Sequence, residues 1–290
     1  MSNLNPIKIT IEEQGPRDGF QSVAHVLPTE TKIEIITALV AAGLSRIQIC
    51  SFVHPRIVPQ MADAEALCAL LPPTEEVLYS GLALNEKGVE RAIKAGLNHI
   101  AASISVSDSH SRKNTRMGLT DARTKFGDMV RMAHAAQVKV RGGLQCVFGC
   151  RIEGPVDRGH ILDLVKGHLD AGVSELALAD STGMGHPTLV RDIVGAVISL
   201  AGEVPVFLHL HDTEGKGIAN ALAAIDVGAR HFDTGLAGMG GCPFIPGATG
   251  NISTEDLVHV LHQMGMVTGV NLESLSAVSR RVEEVYEMSF

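Results

Sequence analysis

One unit repeats eight times along the chain, and this constrains the fold more than any other feature. Each unit is a short β-branched or apolar run, a polar or glycine-rich turn, and an amphipathic stretch of helical period. The runs are "IKITIEE" (7–13), "SRIQICS" (45–51), "EVLYSGLA" (76–83), "HIAASIS" (99–105), "VKVRGGLQCV" (138–147), "SELALAD" (174–180), "VPVFLHLH" (204–211) and "RHFDTG" (230–235). Helical stretches at 29–42, 86–95, 121–136, 161–171, 188–201 and 218–227 lie between runs, and several end in Ala-Gly or Val-Gly at Gly43, Gly96, Gly172 and Gly228. Glycine there is the residue that accepts the left-handed conformation closing a helix. Strands alternating with helices across short connections build a parallel sheet. Eight such units in 290 residues predict a (β/α)8 TIM barrel, with a doubly wound open sheet as the alternative. No G-x-G-x-x-G follows the first run, which weakens a dinucleotide-binding open sheet. No linker or low-complexity stretch interrupts the pattern, so residues 1–290 read as a single domain. Additional C-terminal helices at 254–264 and 272–288 are expected to pack outside the barrel.

Composition narrows the partners. A net charge of -8 and 3% aromatic residues without tryptophan argue against nucleic acid and against an anionic membrane surface. No run approaches the ~20 apolar residues of a membrane span, and the N-terminus lacks the charged and apolar regions of a signal peptide. A soluble, cytoplasmic protein is expected. The five cysteines, at 50, 68, 146, 150 and 242, form no C-x-x-C pair, so reduced thiols are favoured over zinc ligands, even at Cys146 and Cys150.

The stretch "VFLHLHDTEGKG" places His209 and His211 two residues apart at the end of the seventh run. Side chains two apart on a strand share a face, and at the C-terminal end of a barrel strand that face is the usual place for function. Leu208 and Leu210 would then face the helices. The first run leads into "EEQGPRDGFQ", and the loop after the eighth ends at Asn251. A set of Asp18, His209, His211 and Asn251 would suit a divalent ion such as Mg2+ or Mn2+, with positions left for a bidentate substrate. Two histidines and an aspartate would also suit a non-haem iron triad. Asp212 turns to the opposite face and reads as a brace for the turn or for a ligand's second nitrogen.

These residues carry a family likeness over nearly the whole chain. The sequence resembles the 3-hydroxy-3-methylglutaryl-CoA lyase family, within the metal-dependent (β/α)8 carbon–carbon lyases and Claisen-type synthases. Its anchors are "GPRDGFQ" (15–21), "SFVHPRIVPQMADAE" (51–65), "LADSTGMGHP" (178–187), "HLHDTEGKGIAN" (209–220) and, most specific, "AGMGGCPFIPGATGNISTEDL" (237–257). The resemblance implies metal ligation by Asp18, His209, His211 and Asn251. It implies that Arg17 contacts the substrate carbonyl, that Cys242 serves from a mobile loop, that Glu13 and Asp180 act nearby, and that the protein is a homodimer. The implied reaction is a retro-Claisen cleavage of an acyl-CoA thioester. A tertiary hydroxyl loses its proton, a C–C bond breaks, and a thioester enolate departs and is protonated. Fixed positive charge at Arg17 would stabilise that enolate. Cys242 would be an acid or shuttle, the plainer reading being a small residue in a turn.

The chain also departs from the pattern. The family's strand-two glutamate is Gln48, its tyrosine–glycine–glutamine after "HDT" is Glu214, Gly215 and Lys216, and an aromatic of strand five is Gly143. These changes leave the metal chemistry in place and point to a larger or differently charged acyl group. The basic stretch "SDSHSRKNTRMG" (107–118) offers Arg112, Lys113 and Asn114 for coenzyme A, although a solvated basic loop has the same composition. A citramalyl-CoA-type lyase or another aldolase of the superfamily is the alternative enzyme, and a Claisen synthase the next. A catalytically impaired acyl-CoA-binding barrel would be expected to have lost one of Arg17, Asp18, His209, His211, Cys242 or Asn251, and all six are present.

Overall fold

The computed structural model describes residues 6–72, 74–241 and 250–286. Eight parallel strands close into a barrel in chain order. They are β1 (Thr10–Glu13), β2 (Arg46–Ser51), β3 (Leu78–Leu82), β4 (His99–Ser105), β5 (Lys139–Gln145), β6 (Glu175–Ala179), β7 (Val206–His209) and β8 (His231–Thr234), with β1 pairing β8 from Thr10↔His231 to Glu13↔Thr234. All eight expected strands are present, and the open sheet is excluded. Closure buries every strand edge, and each strand satisfies its backbone through both neighbours. The helix stops behave as read. Gly43, Gly96, Gly172 and Gly228 have φ between 82° and 103°, and at Gly43 a Cβ would run into the carbonyl oxygen of Gly269.

The apolar core lies between the strands and the helix ring. Ile47, Ile100, Leu176, Leu208 and Phe232 are all fully buried there. Two helices escaped the sequence reading. Ala64–Leu70 is short, and Asp108–Thr115 ("DSHSRKNT"), expected as a loop, has no apolar period. Its ends are set by capping instead. The Ser107 hydroxyl accepts from His110 N at 3.1 Å, and Arg116 takes φ 61°. Thr254–Gln263 follows β8 and completes the ring, so only Leu272–Tyr286 is additional, packing against Thr29–Ala41 with an Arg281–Glu34 ion pair. Among the described residues no helix is long and apolar enough to cross a membrane.

The inside of the barrel is ionic at its lower end. The Arg141 guanidinium, 2% exposed, contacts Glu12, Glu175 at 3.0 Å and Asp233 at 2.9 Å. Arg46 reaches Glu12 and Glu175, both at 2.8 Å, and His99 lies 3.2 Å from Glu175. Burial of Glu175 would raise its pKa, but His99, Arg141 and Arg46 outweigh burial and keep the carboxylate ionised. Both guanidiniums lie over the Phe207 ring, Arg46 at 4.7 Å and Arg141 at 3.7 Å from its centre. This charged plug supports the floor of the site above it.

Candidate active site

Four segments deliver the site to the C-terminal mouth of the barrel. After β1 the chain makes one wide helical turn, Gly15–Gly19, in which Asp18 N donates to Gln14 O at 2.7 Å. That turn projects Arg17 and Asp18 over the barrel axis instead of sending them outward. β7 ends at His209, and His211 lies just beyond the strand. It is held there by an antiparallel bridge to Asn251, with Asp212 N donating to Gly250 O at 3.0 Å and Ile252 N to Leu210 O at 3.1 Å. The returning chain thus places Asn251 beside His211. Gly240 makes the approach possible, because a Cβ there would collide with Asn251 Nδ2 and stand 2.5 Å from Asp18 Oδ2.

Asp18, His209 and His211 form a cluster that could hold a metal ion, their ligand atoms lying within 4.8 Å of one another. The two Nε2 atoms are 3.3 Å apart. Burial above all, and then His209, pushes His211 down to about 4, leaving the neutral imidazole that ligates metals. Burial would raise Asp18, but Arg17, His209 and His211 outweigh it, so the carboxylate is ionised. Asn251 Nδ2 donates to Asp18 Oδ2 and to Met239 O, both at 2.9 Å. Its Oδ1 is buried without a partner among the described residues. A buried amide oxygen, an ionised carboxylate and two imidazole nitrogens form a mixed oxygen and nitrogen donor set of the kind that binds divalent cations. The four residues therefore fit a divalent ion.

Arg17 is held from three sides. Its Nε donates to Gln48 Oε1 at 2.5 Å, Nη2 to Gln14 Oε1 at 2.9 Å, and Nη1 to Asp18. Two of these partners are neutral amides, so Gln48 orients the guanidinium without cancelling its charge. Asp180, at the end of β6, accepts from Gly185 N at 3.0 Å through Oδ2, while its Oδ1 is buried without a partner among the described residues. Burial raises it to about 6 against the opposing backbone donors and Lys216. Glu13 sits differently. It is fully buried, and its carboxylate accepts from Gly15 N (2.6 Å), Leu236 N (2.7 Å) and Thr254 Oγ1 (2.6 Å), tying together the turns that carry Asp18 and Asn251. Asp212 braces its turn by accepting from Gly217 N at 2.5 Å. Asp233 of β8 lies 3.4 Å from His209 Nδ1, a neighbour that the sequence reading missed. Strand alternation in "RHFDTG" was the only signal for it.

The remaining predicted residues lie around the rim. Asn114 donates to Gln145 Oε1 at 3.1 Å, and Gln145 to Ser103 Oγ at 3.2 Å, linking the Asp108–Thr115 helix to the barrel mouth. Arg112 pairs with Asp108 on the exposed surface at 2.7 Å. Glu214 is bridged by Arg151 (2.8 Å) and Lys216 (2.9 Å). Gly143 leaves no simple void, since a Cβ there would stand 2.8 Å from Ser103 Cβ. Cys146 and Cys150 are buried and form no disulfide among the described residues, and Ser107 donates to Cys150 Sγ at 3.1 Å. Cys242 lies outside the described residues.

A (β/α)8 barrel with an acid–imidazole–amide cluster and a fixed arginine at its C-terminal mouth has the form of an enzyme that works on an oxygen-rich substrate beside a cation. Residues 8–282 match the HMGL-like family model. The mitochondrial hydroxymethylglutaryl-CoA lyase of Mus musculus is 38% identical over 270 residues, 93% of this chain and 83% of that one. The Bacillus subtilis hydroxymethylglutaryl-CoA lyase YngG is 36% identical over 279 residues, 96% of this chain and 93% of the other. A solved HMG-CoA lyase from Acinetobacter baumannii, in complex with coenzyme A and 3-methylmalate, superposes with a TM-score of 0.94 at 36% identity, covering 100% of this chain and 94% of that one. The chain belongs to the HMGL-like family and is a carbon–carbon lyase.

Proposed function

We propose that the protein cleaves 3-hydroxy-3-methylglutaryl-CoA, or a closely related 3-hydroxyacyl-CoA, to acetyl-CoA and a keto acid. The observation that carries this reading is the convergence of Asp18, His209, His211 and Asn251 beside Arg17. These four residues would hold Mg2+ or Mn2+, which when bound acidifies the substrate hydroxyl. Arg17, steered by Gln14 and Gln48, presents its guanidinium where enolate charge develops. Asp180, one oxygen of which accepts from Gly185 while the other has no partner among the described residues, is proposed to hold the hydroxyl proton. Cys242 is proposed to return a proton to the enolate. Arg112, Lys113 and Asn114 are proposed to receive coenzyme A at the rim, the neighbouring coenzyme A complex supporting that ligand class. A cytoplasmic homodimer completes the reading.

The test is a panel of 3-hydroxyacyl-CoA thioesters assayed with Mg2+ or Mn2+, following acetyl-CoA and the keto product. Turnover should vanish in Asp18→Asn and His209→Ala. Persistence in either variant would remove the metal site from the mechanism. Equal turnover of longer or more highly charged acyl groups would show that Gln48, Glu214 and Lys216 widen the substrate range, and confinement to the hydroxymethylglutaryl thioester would rule that out.

A further inference from the structure

We propose that Asp233 is the positioning residue of the metal site, fixing His209 as the Nδ1–H tautomer so that Nε2 is free to ligate. The proposal rests on the metal reading given above. His209 Nδ1 lies 3.4 Å from Asp233 Oδ2, and Asp233 Oδ1 accepts from Arg141 Nη1 at 2.9 Å. An ionised carboxylate only accepts hydrogen bonds. Asp233 is ion-paired with the Arg141 guanidinium at 2.9 Å, and a carboxylate in such a pair is the ionised acceptor. The hydrogen facing it must therefore come from His209 Nδ1. A neutral imidazole carries one N–H, so Nε2 is left with its lone pair, directed into the cluster.

Asp233 is in turn immobilised. Arg141 is clamped by Glu12 and Glu175 and stacked 3.7 Å from the centre of the Phe207 ring. The charged plug in the barrel is thus wired to one metal ligand through a single side chain. His211 has no such support, since its Nδ1 is buried without a partner among the described residues. The two histidines are therefore not equivalent. His209 is preset for ligation by the protein, and the His211 backbone is placed by the bridge to Asn251.

The isosteric variant Asp233→Asn separates orientation from packing. Arg141 can only donate, so the new amide must turn its oxygen toward Arg141 and its NH2 toward His209. Nδ1 then has to accept, the proton moves to Nε2, and the ligand lone pair is lost. The analogous exchange in a Ser-His-Asp triad preserves geometry and fails through the wrong tautomer. The experiment is 15N-histidine NMR of the metal-free full-length protein, with His209 assigned through His209→Ala, alongside Mn2+ affinity by chelator competition. Expected are Nδ1–H at His209 in the wild type, Nε2–H in Asp233→Asn, and Mn2+ affinity lowered by roughly 10- to 100-fold. An Nε2–H tautomer of His209 in the wild type would overturn the proposal whatever Asp233→Asn does, so the test does not depend on that variant folding. Mn2+ affinity within threefold of wild type in Asp233→Asn would also overturn it. A wild type that binds no Mn2+ would instead sink the metal reading, while the tautomer would still be decided by NMR. A merely structural role for Asp233 would lower Tm in Asp233→Asn and leave the tautomer unchanged.

Discussion

Replacing Glu13 with glutamine should make the protein more stable above pH 7 and leave it unchanged in acid. Glu13 is fully buried, with no cation among its contacts, and burial raises its carboxyl from 4.5 to about 7 against the hydrogen bonds from Thr254, Leu236 and Gly15. The neutral acid fits its surroundings. Its proton can go to Thr254 Oγ1 at 2.6 Å, and Thr254 can pass its own to Thr234 Oγ1 at 2.8 Å. The sign follows from linkage. A carboxyl with a raised folded-state pKa contributes fully below its unfolded pKa, and that contribution is lost as pH rises from 4.5 through about 7. Over this interval, at about 1.4 kcal/mol per unit, the loss is about 3 kcal/mol. Glutamine reproduces the neutral acid, with the oxygen accepting from the two backbone N–H groups and the NH2 donating to Thr254, and it has nothing to ionise. Urea unfolding of both proteins at several pH values gives a difference curve in which other titrating groups cancel. Wild type should match Glu13→Gln near pH 4.5 and fall below it by about 3 kcal/mol near pH 7.5. A flat difference would refute the reasoning. A difference of opposite sign would show that three donors outweigh burial and hold the carboxylate ionised.

Arg141→Met removes the cation shared by Glu12, Glu175 and Asp233, and stability should fall by about 3–5 kcal/mol in denaturant titration, because buried carboxylates lose their partner. Lys32→Met breaks two 2.6 Å hydrogen bonds, to Gln60 O and Asp63 Oδ1, that pin the segment after β2. A loss of about 2 kcal/mol is expected in urea unfolding, and an unchanged midpoint would count against that pin. Lys113→Glu should raise the apparent KM for acyl-CoA several-fold with kcat nearly unchanged in steady-state assays, if the Asp108–Thr115 helix receives coenzyme A.

The barrel was legible because it is written locally. Most strands carry β-branched residues, most helices their period, and several stops a glycine, so the eightfold repeat pointed to the architecture before any long-range contact was considered. The H-x-H spacing placed His209 and His211 together by strand geometry alone, and the family motif supplied Asp18 and Asn251. Helix Asp108–Thr115 stayed hidden because capping, not hydrophobic period, defines it.

Other features depended on contacts across the barrel. Asp233 became the partner of His209 only because β7 and β8 are adjacent, and Asp212, next to His211 in the chain, was turned away to brace Gly217. Gln48, which read as a lost acid, became a neutral support that leaves the charge of Arg17 intact. Glu13 proved to be tied to two backbone amides and a threonine across the barrel seam. The sequence alone determined the repeat and the residue types at the mouth, since these follow from local periodicity and steric preference, whereas closure rests on the pairing of β1 with β8. Only the tertiary structure decided which polar groups face one another, because a buried charge takes its role from partners far away in the chain.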